Sequence, residues 1–402
     1  PFFDPEWMFG VKDGFDIVIA NPPYGASFSK VQKIYFACEY KHQDYQPESY
    51  MLFIEKGMNL LAANAILSYI IPNTWLLNLS TVKIRKQLFF NTTFNSIVHF
   101  KNYVFSAIVD TEIISLSLCK PKKESLINLF VKEKSNSLEL FQKILQSQIN
   151  VMEGCPISLF IEEKHSTILQ KLRNTSKLSN YCVITQGAKP FQTGKGKPKQ
   201  TKEIVKSKPF VSEVYIDGFR PLLRGSLIGR YETRWNNNYW IKYGDWLAEP
   251  RQSANYDADI KIVIRQTGDS IVATIDTNQF IVRDNLYTCL PNIQSVDLYT
   301  ILGLLNSKLI NWYYQIVINP EQGEALAQVK KGHIVALPIS VTNYKPLADL
   351  VRIVLSKKKQ LEESILIENQ IDCMVYKLYD LTYDEIKIVD PNTPITKEEY
   401  EK

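Results

Sequence analysis

Apolar residues Phe15, Ile17, Val18, Ile19 and Ala20 form a short run closed by Asn21-Pro22-Pro23-Tyr24. This pattern predicts a buried strand of a parallel sheet that empties into a rigid loop. Further periodicity predicts helices over 47–63 and 82–91, with strands near 65–71, 94–100, 107–119 and 126–132. Lys120-Pro121-Lys122-Lys123-Glu124 reads as a polar hinge between the last two, and helices are expected around 137–146 and 162–173. Beyond a boundary near 175 the texture shifts to short β-rich segments divided by Gly, Pro and Asn, among them Lys261 to Gln266, Ile271 to Asp276 and Phe280 to Val282. From Pro346 to Leu381, Leu350, Val354, Leu361, Ile365, Ile371, Val375 and Leu378 keep a helical spacing with one slip near Glu368, which predicts a long helix or a helical hairpin. Thr382, with Glu385 three residues on, predicts the capped start of a last short helix.

These elements predict an α/β fold, part of a Rossmann-like sheet, over 1–175, a mostly β or α+β domain over 176–345, and a helical tail over 346–402 that packs on it. Ligands of open α/β sheets bind beyond the carboxyl ends of the strands, so the chemistry is expected at Asn21 to Tyr24. A length of 402 residues, 45% hydrophobic and 22% charged, allows two or three domains with ample core. The cysteines at 38, 119, 155, 182, 289 and 373 form no close pairs and the histidines are scattered, which argues against disulfides and a zinc site. The sequence shows neither a signal peptide nor an apolar stretch of bilayer-spanning length, so no membrane partner and a cytoplasmic location are expected.

A net charge of +5 is too mild to argue nucleic-acid binding, so the distribution of charge has to carry that argument. The segment Gly187 to Lys199 carries Lys195, Lys197 and Lys199, and lysines continue through Lys202, Lys206 and Lys208 against one acid, Glu203. It reads as a flexible cationic loop that approaches phosphates, and its glycine spacing does not fit a nucleotide P-loop. Arg224, Arg230, Arg251 and Arg265 come next, beside Trp235, Tyr239, Trp240, Tyr243 and Trp246. These arginines are candidates for guanine edges or the DNA backbone. Most of the aromatics are expected in the core of a small β domain.

The residue types at 21–24 suit one reaction. An aromatic amino group is a poor nucleophile while its lone pair is delocalised into the ring. The Asn21 side-chain oxygen and the Pro22 carbonyl can each accept one of its N–H groups, which favours a tetrahedral nitrogen facing an electrophilic methyl group. Pro22 and Pro23 stiffen the loop and remove donors, and Tyr24 offers a flat face for stacking. No strong base is needed.

With its preceding strand, Asn21-Pro22-Pro23-Tyr24 resembles motif IV of the amino-methyltransferases, in the form associated with adenine N6. The likeness continues through Tyr50-Met51-Leu52-Phe53-Ile54-Glu55, Ala65 to Asn73 and Val104 to Thr111. Farther on, Pro221 to Tyr231, Tyr243 to Arg251 and Leu304 to Leu309 resemble the target-recognition domain of type IIG restriction-modification enzymes, the Eco57I-like group. The resemblance implies S-adenosylmethionine as methyl donor, double-stranded DNA as substrate and an adenine flipped from the duplex and stacked between Tyr24 and Phe105. It also implies that the Gly-rich cofactor motif lies outside this chain, in a missing N-terminal part of the same polypeptide, with a nuclease farther upstream whose Mg²⁺ requirement does not concern this segment. Two other readings stand beside it. One is a glutamine-amide N-methyltransferase, which needs no extended DNA-reading domain. The other is a DNA-recognition module inactive in isolation.

Overall fold

The computed structural model describes residues 4–43, 47–77, 81–100, 111–132, 137–149, 151, 157–159, 161–318 and 328–402. Its contacts divide the chain into two compact units, Pro1–Phe160 and Ile161–Lys402.

The first unit is a mixed sheet of six strands, β1 (Phe15–Ala20), β2 (Leu61–Pro72), β3 (Thr93–Phe100), β4 (Thr111–Ser117), β5 (Leu126–Lys132) and β6 (Leu138–Leu145), in the order β1-β2-β4-β3-β5-β6. β1 runs parallel to β2, with Ala20 opposite Tyr69. β4 lies antiparallel to both β2 and β3, β5 is parallel to β3, and β6 closes the far side antiparallel to β5. Helices Ser49–Leu60 and Val82–Asn91 form where helix and core patterns coincide, and they bury Met51, Ile54, Leu88 and Phe89 with Leu67, Ile71, Ile97, Ile114 and Leu129 of the sheet. Trp75 stacks on Phe89 at 5.7 Å, and its Nε1 donates to the buried Glu112 at 3.1 Å. Burying the indole is cheap because its one polar atom has a partner.

Two features of this unit bear on function. Among the described residues β1 pairs with β2 alone, and Ile17 and Ile19 are 64% and 77% exposed. Segment 137–146, expected as a helix, is strand β6. Leu138, Phe141 and Leu145 have helical spacing, yet the open edge of β5 offers unpaired backbone groups, and pairing from Leu126↔Leu145 to Lys132↔Leu138 satisfies them. Sheet pairing overrode local periodicity, and Leu138, Leu140 and Phe141 stay exposed as a result.

The second unit begins before the expected boundary near 175. Helix Ser166–Arg173 buries Ile168, Leu169 and Leu172 in the same core as Ile184, Ile262, Ile264 and Ile301, so it belongs to this unit rather than to the first sheet. An antiparallel sheet, in the order Ala273–Asp276, Lys261–Arg265, Leu286–Pro291, Cys182–Gln186, supplies one wall of that core. Helices Leu298–Asn306, Lys345–Lys359 and Ile365–Leu378 contribute Leu302, Val351, Val354, Ile371 and Val375 to the same core, so the tail packs on this unit. A second sheet, in the order Ile281–Val282, Arg220–Leu223, Trp240–Ile241, Val211–Ser212, surrounds a separate cluster of Leu222, Leu223, Tyr239, Ile241 and Val263.

The tail is a hairpin. Its break falls at 360–364, where Leu361 has φ +59°, and not near Glu368, which sits inside the second helix and accepts from the Ser364 hydroxyl at 2.8 Å. Thr382 and Glu385 cap the next helix reciprocally, as their spacing predicts.

Candidate functional site

β1 carries the chain to Asn21 at the end of its pairing with β2. Asn21 and Pro23 are exposed, Pro22 is buried and Tyr24 is half-buried against the core of the sheet. The loop is anchored from below by the Ser49 hydroxyl, which donates to the Pro23 carbonyl at 2.6 Å. The Tyr24 hydroxyl donates to Asn21 Oδ1 at 2.9 Å, which fixes the amide orientation and leaves that oxygen a second lone pair. Burial raises the Tyr24 phenol above its ordinary value, so it remains a donor at neutral pH. The loop therefore presents a fixed carbonyl oxygen outward beside a partly exposed ring, an acceptor site built without a strong base.

The other sequence features of this unit have different fates. Glu55 accepts from the backbone of Lys41 at 2.7 Å and His42 at 3.1 Å, so it holds the chain ahead of its own helix. Phe105 and residues 104–110 lie outside the described residues.

In the second unit, the lysine-rich loop is not loose. Gln200, 3% exposed, donates to the carbonyls of Pro190 and Trp246, both at 2.8 Å, and accepts from the Gln192 amide at 2.9 Å. Lys197 N donates to Asp245 O at 2.8 Å. One buried amide thus ties down a loop whose composition predicts flexibility, and it leaves Lys195, Lys197 and Lys199 exposed on a set frame. Of the aromatics, Tyr239 lies in the core, and Trp235, Tyr243 and Trp246 pack on it.

The four candidate arginines separate into two pairs. Arg230 reaches Glu368 at 3.5 Å and Asp372 at 3.6 Å, which ties it to the tail. Arg251 pairs with Glu249 at 2.6 Å. Arg224 lies over the Tyr239 ring, 4.6 Å from its centroid. Arg265 ends the strand Lys261–Arg265 with its stem beside Gly225.

Sequence reading missed Gln200, Arg283 and Asn285. Arg283 donates to the Tyr239 hydroxyl at 2.9 Å, and Asn285 Oδ1 accepts from the Gly225 amide at 3.3 Å. The run Arg283-Asp284-Asn285 between two apolar segments was the available signal. The motif around Leu304 is structural: Asn306 binds both the N–H and the C=O of Ala273, each at 3.0 Å.

Comparison with known proteins agrees with this division. Residues 2–105 match the family of Eco57I restriction-modification methylases. Residues 220–339 match the TaqI-like C-terminal specificity domain. The chain thus resembles a restriction-modification methylase in one segment and a specificity domain in another. A protein of Methanocaldococcus jannaschii with the inferred designation of type II restriction enzyme and methyltransferase is 25% identical over 387 residues, 92% of this chain and 31% of that protein. The type II restriction enzyme and methyltransferase Eco57I of Escherichia coli is 24% identical over 204 residues, 49% of this chain and 20% of that protein. The chain thus spans under a third of either relative, at 31% and 20%. The solved type IIL restriction-modification enzyme MmeI, in complex with DNA, shares the fold with a TM-score of 0.54 and 14% identity over 96% of this chain and 57% of its own. The methylase match contains Asn21 to Tyr24, and the specificity-domain match contains all four candidate arginines. No helix among the described residues is long and apolar enough to cross a membrane.

Proposed function

We propose that this chain is the acceptor-binding and target-reading part of a fused restriction-modification enzyme that methylates adenine N6 in double-stranded DNA. The observation that carries the proposal is the outward-facing Asn21 oxygen, held by Tyr24 at the end of β1. A flipped adenine would place its amino group between Asn21 Oδ1 and the Pro22 carbonyl and stack on Tyr24, with Phe105 as the partner ring suggested by the family resemblance. Two acceptors draw the nitrogen toward tetrahedral geometry, and its lone pair then points at the methyl group. S-adenosylmethionine supplies that methyl group. Among the described residues no Gly-rich strand-to-helix turn stands beside β1 to hold it, so the chain's own residues are assigned only the acceptor side. The bare edge of β1 fits pairing with further strands of a longer polypeptide, and the isolated chain is accordingly expected to be inactive. On the reading side, residues 176–345 serve as the DNA-recognition domain. Lys195, Lys197 and Lys199 supply backbone attraction there, while Arg230 and Arg251 brace the domain through their carboxylates.

The test is Asn21→Ala and Tyr24→Ala in the longer protein containing this chain, with methylated adenines mapped by sequencing of plasmid from expressing cells. Each variant is expected to lower methylation by roughly 10²–10³-fold, the scale for losing one preorganised transition-state contact, with DNA binding retained. Unchanged methylation in both would remove the loop from the mechanism, and methylated cytosine in place of adenine would redirect the substrate.

A further inference from the structure

The arginines between positions 220 and 283 do not share one fate. Arg220 faces Asp257 at 2.8 Å, Arg230 faces Glu368 and Asp372, Arg234 faces Glu232 at 2.7 Å, Arg251 faces Glu249 at 2.6 Å, and Arg283 faces Asp284 at 3.4 Å. Arg224 and Arg265 face no carboxylate within 4.0 Å among the described residues, and the Nε atoms of both are buried without a hydrogen-bond partner. A half-buried guanidinium without a counter-charge is costly to keep, so two together call for an anion that the described residues do not provide.

Their surroundings are built to hold them still. The turn after Ile281–Val282 joins both: Arg283 N donates to Leu223 O at 3.0 Å, next to Arg224, and Gln266 N donates to Asn285 O at 3.0 Å, next to Arg265. Tyr239 fixes Arg224 through its ring and Arg283 through its hydroxyl. Two glycines keep the ground around Arg265 open. A Cβ at Gly225 would stand 3.2 Å from Asn285 Nδ2 and 3.6 Å from Arg265 Cγ, and one at Gly268, where φ is +124°, would stand 3.2 Å from Arg265 Nη2.

We infer that Arg224 and Arg265 form a clamp for DNA backbone phosphate, one that anchors the duplex without regard to its sequence. The inference rests on the proposed reading that this unit binds duplex DNA. Reach selects phosphate over base. An arginine reading guanine must extend into a major groove about 8.5 Å deep, whereas these side chains are half-buried with Nε inside the protein. Phosphate oxygens stand out from the duplex and can meet half-buried guanidiniums without deep insertion, through charge-assisted N–H bonds.

The experiment measures binding of the 402-residue chain to duplex DNA by fluorescence anisotropy from about 50 to about 300 mM KCl, a roughly sixfold range of salt. Wild type is compared with Arg224→Gln, Arg265→Gln and the charge-preserving Arg224→Lys and Arg265→Lys. Each Gln variant should weaken cognate and scrambled duplexes by the same factor and flatten the plot of log affinity against log salt by about one unit, and each Lys variant should restore most of that slope. A variant library of duplexes in which a Gln variant loses preference at one base position overturns the clamp in favour of base reading. Unchanged affinity and slope in the Gln variants overturns it outright. If a Gln variant does not fold, a Lys variant with wild-type folding but altered base preference overturns it equally. A wild-type chain that holds no duplex at about 50 mM KCl fails before any variant is made, and this result refutes the DNA-binding reading together with the clamp.

Discussion

Lys261 and Asp276 offer the sharpest test of how the second unit is held. They are register partners at the open end of the hairpin whose other end presents Arg265. Their side chains have no exposed area, and Nζ lies 2.6 Å from Oδ2. The carboxylate also accepts from the amides of Asn278 at 2.7 Å and Phe280 at 3.1 Å, and the ammonium donates to Tyr256 O at 2.9 Å. Removing one member of such a pair strands the other, at a cost of about 3–5 kcal/mol. Lys261→Met belongs at the lower end, about 3 kcal/mol, because the two amides still neutralise part of the stranded carboxylate. Asp276→Asn belongs at the upper end near neutral pH, because the ammonium keeps only one carbonyl.

The two variants also differ in pH dependence. Burial already lowers the Lys261 pKa, with Asp276 opposing that shift, so removing Asp276 lowers it further. The unfolded chain then binds more protons than the folded one between the depressed pKa and the ordinary lysine value, and stability rises with pH across that window. The cost of Asp276→Asn should therefore shrink from pH 7 to pH 9.5, while that of Lys261→Met should not, because the lysine whose lowered pKa makes the wild type gain stability with pH is absent. Urea unfolding followed by tryptophan fluorescence reads both. A loss of about 3 kcal/mol moves the midpoint by about 1.5 M at a slope of about 2 kcal/mol/M. A Lys261→Met midpoint within about 0.3 M of wild type, roughly the extrapolation error, would refute the reasoning, as would a pH-independent cost for Asp276→Asn.

Two further outcomes concern the same unit. Gln200→Ala strands the Trp246 carbonyl and the Gln192 amide and leaves the Pro190 carbonyl with the Ala248 amide alone, so it should destabilise the loop by about 2–3 kcal/mol, seen as faster amide hydrogen exchange over 190–200 and weaker duplex binding. His333, pushed down to about 4 by burial with Lys330 adding to the shift, is neutral in the fold while the unfolded chain protonates near the ordinary value. The stability it contributes is full above about pH 6.5 and is lost as pH falls toward 4, by up to about 3 kcal/mol, so His333→Gln should flatten the urea midpoint between pH 7 and pH 4.5 relative to wild type.

The loop at Asn21 to Tyr24, proposed as the acceptor site, was legible as a strand-to-loop turn because its signal is local: an apolar strand and four residues of special stereochemistry lie consecutively in the chain. The helices Ser49–Leu60 and Val82–Asn91 were legible for the same reason, as was the capping box at Thr382. The elements that escaped depended on partners far away in sequence. Strand β6 has a helical spacing and became extended only because β5 lay open beside it. Gln200 looks like any loop glutamine until Pro190 and Trp246 converge on it. The arginines at 224, 230, 251 and 265 are chemically alike in sequence, and only the positions of Glu249, Glu368 and Asp372 distinguish the neutralised ones.

One rim of the first sheet has a chemical implication for Asn21. The amide stands at the tip of a ribbon stitched, among the described residues, along a single side, so a strand joining the other side would sit close to it. Labelling the loop at Asn21 would turn it into a gauge of assembly: the signal should shift when a strand pairs along that rim and stay unchanged when none does.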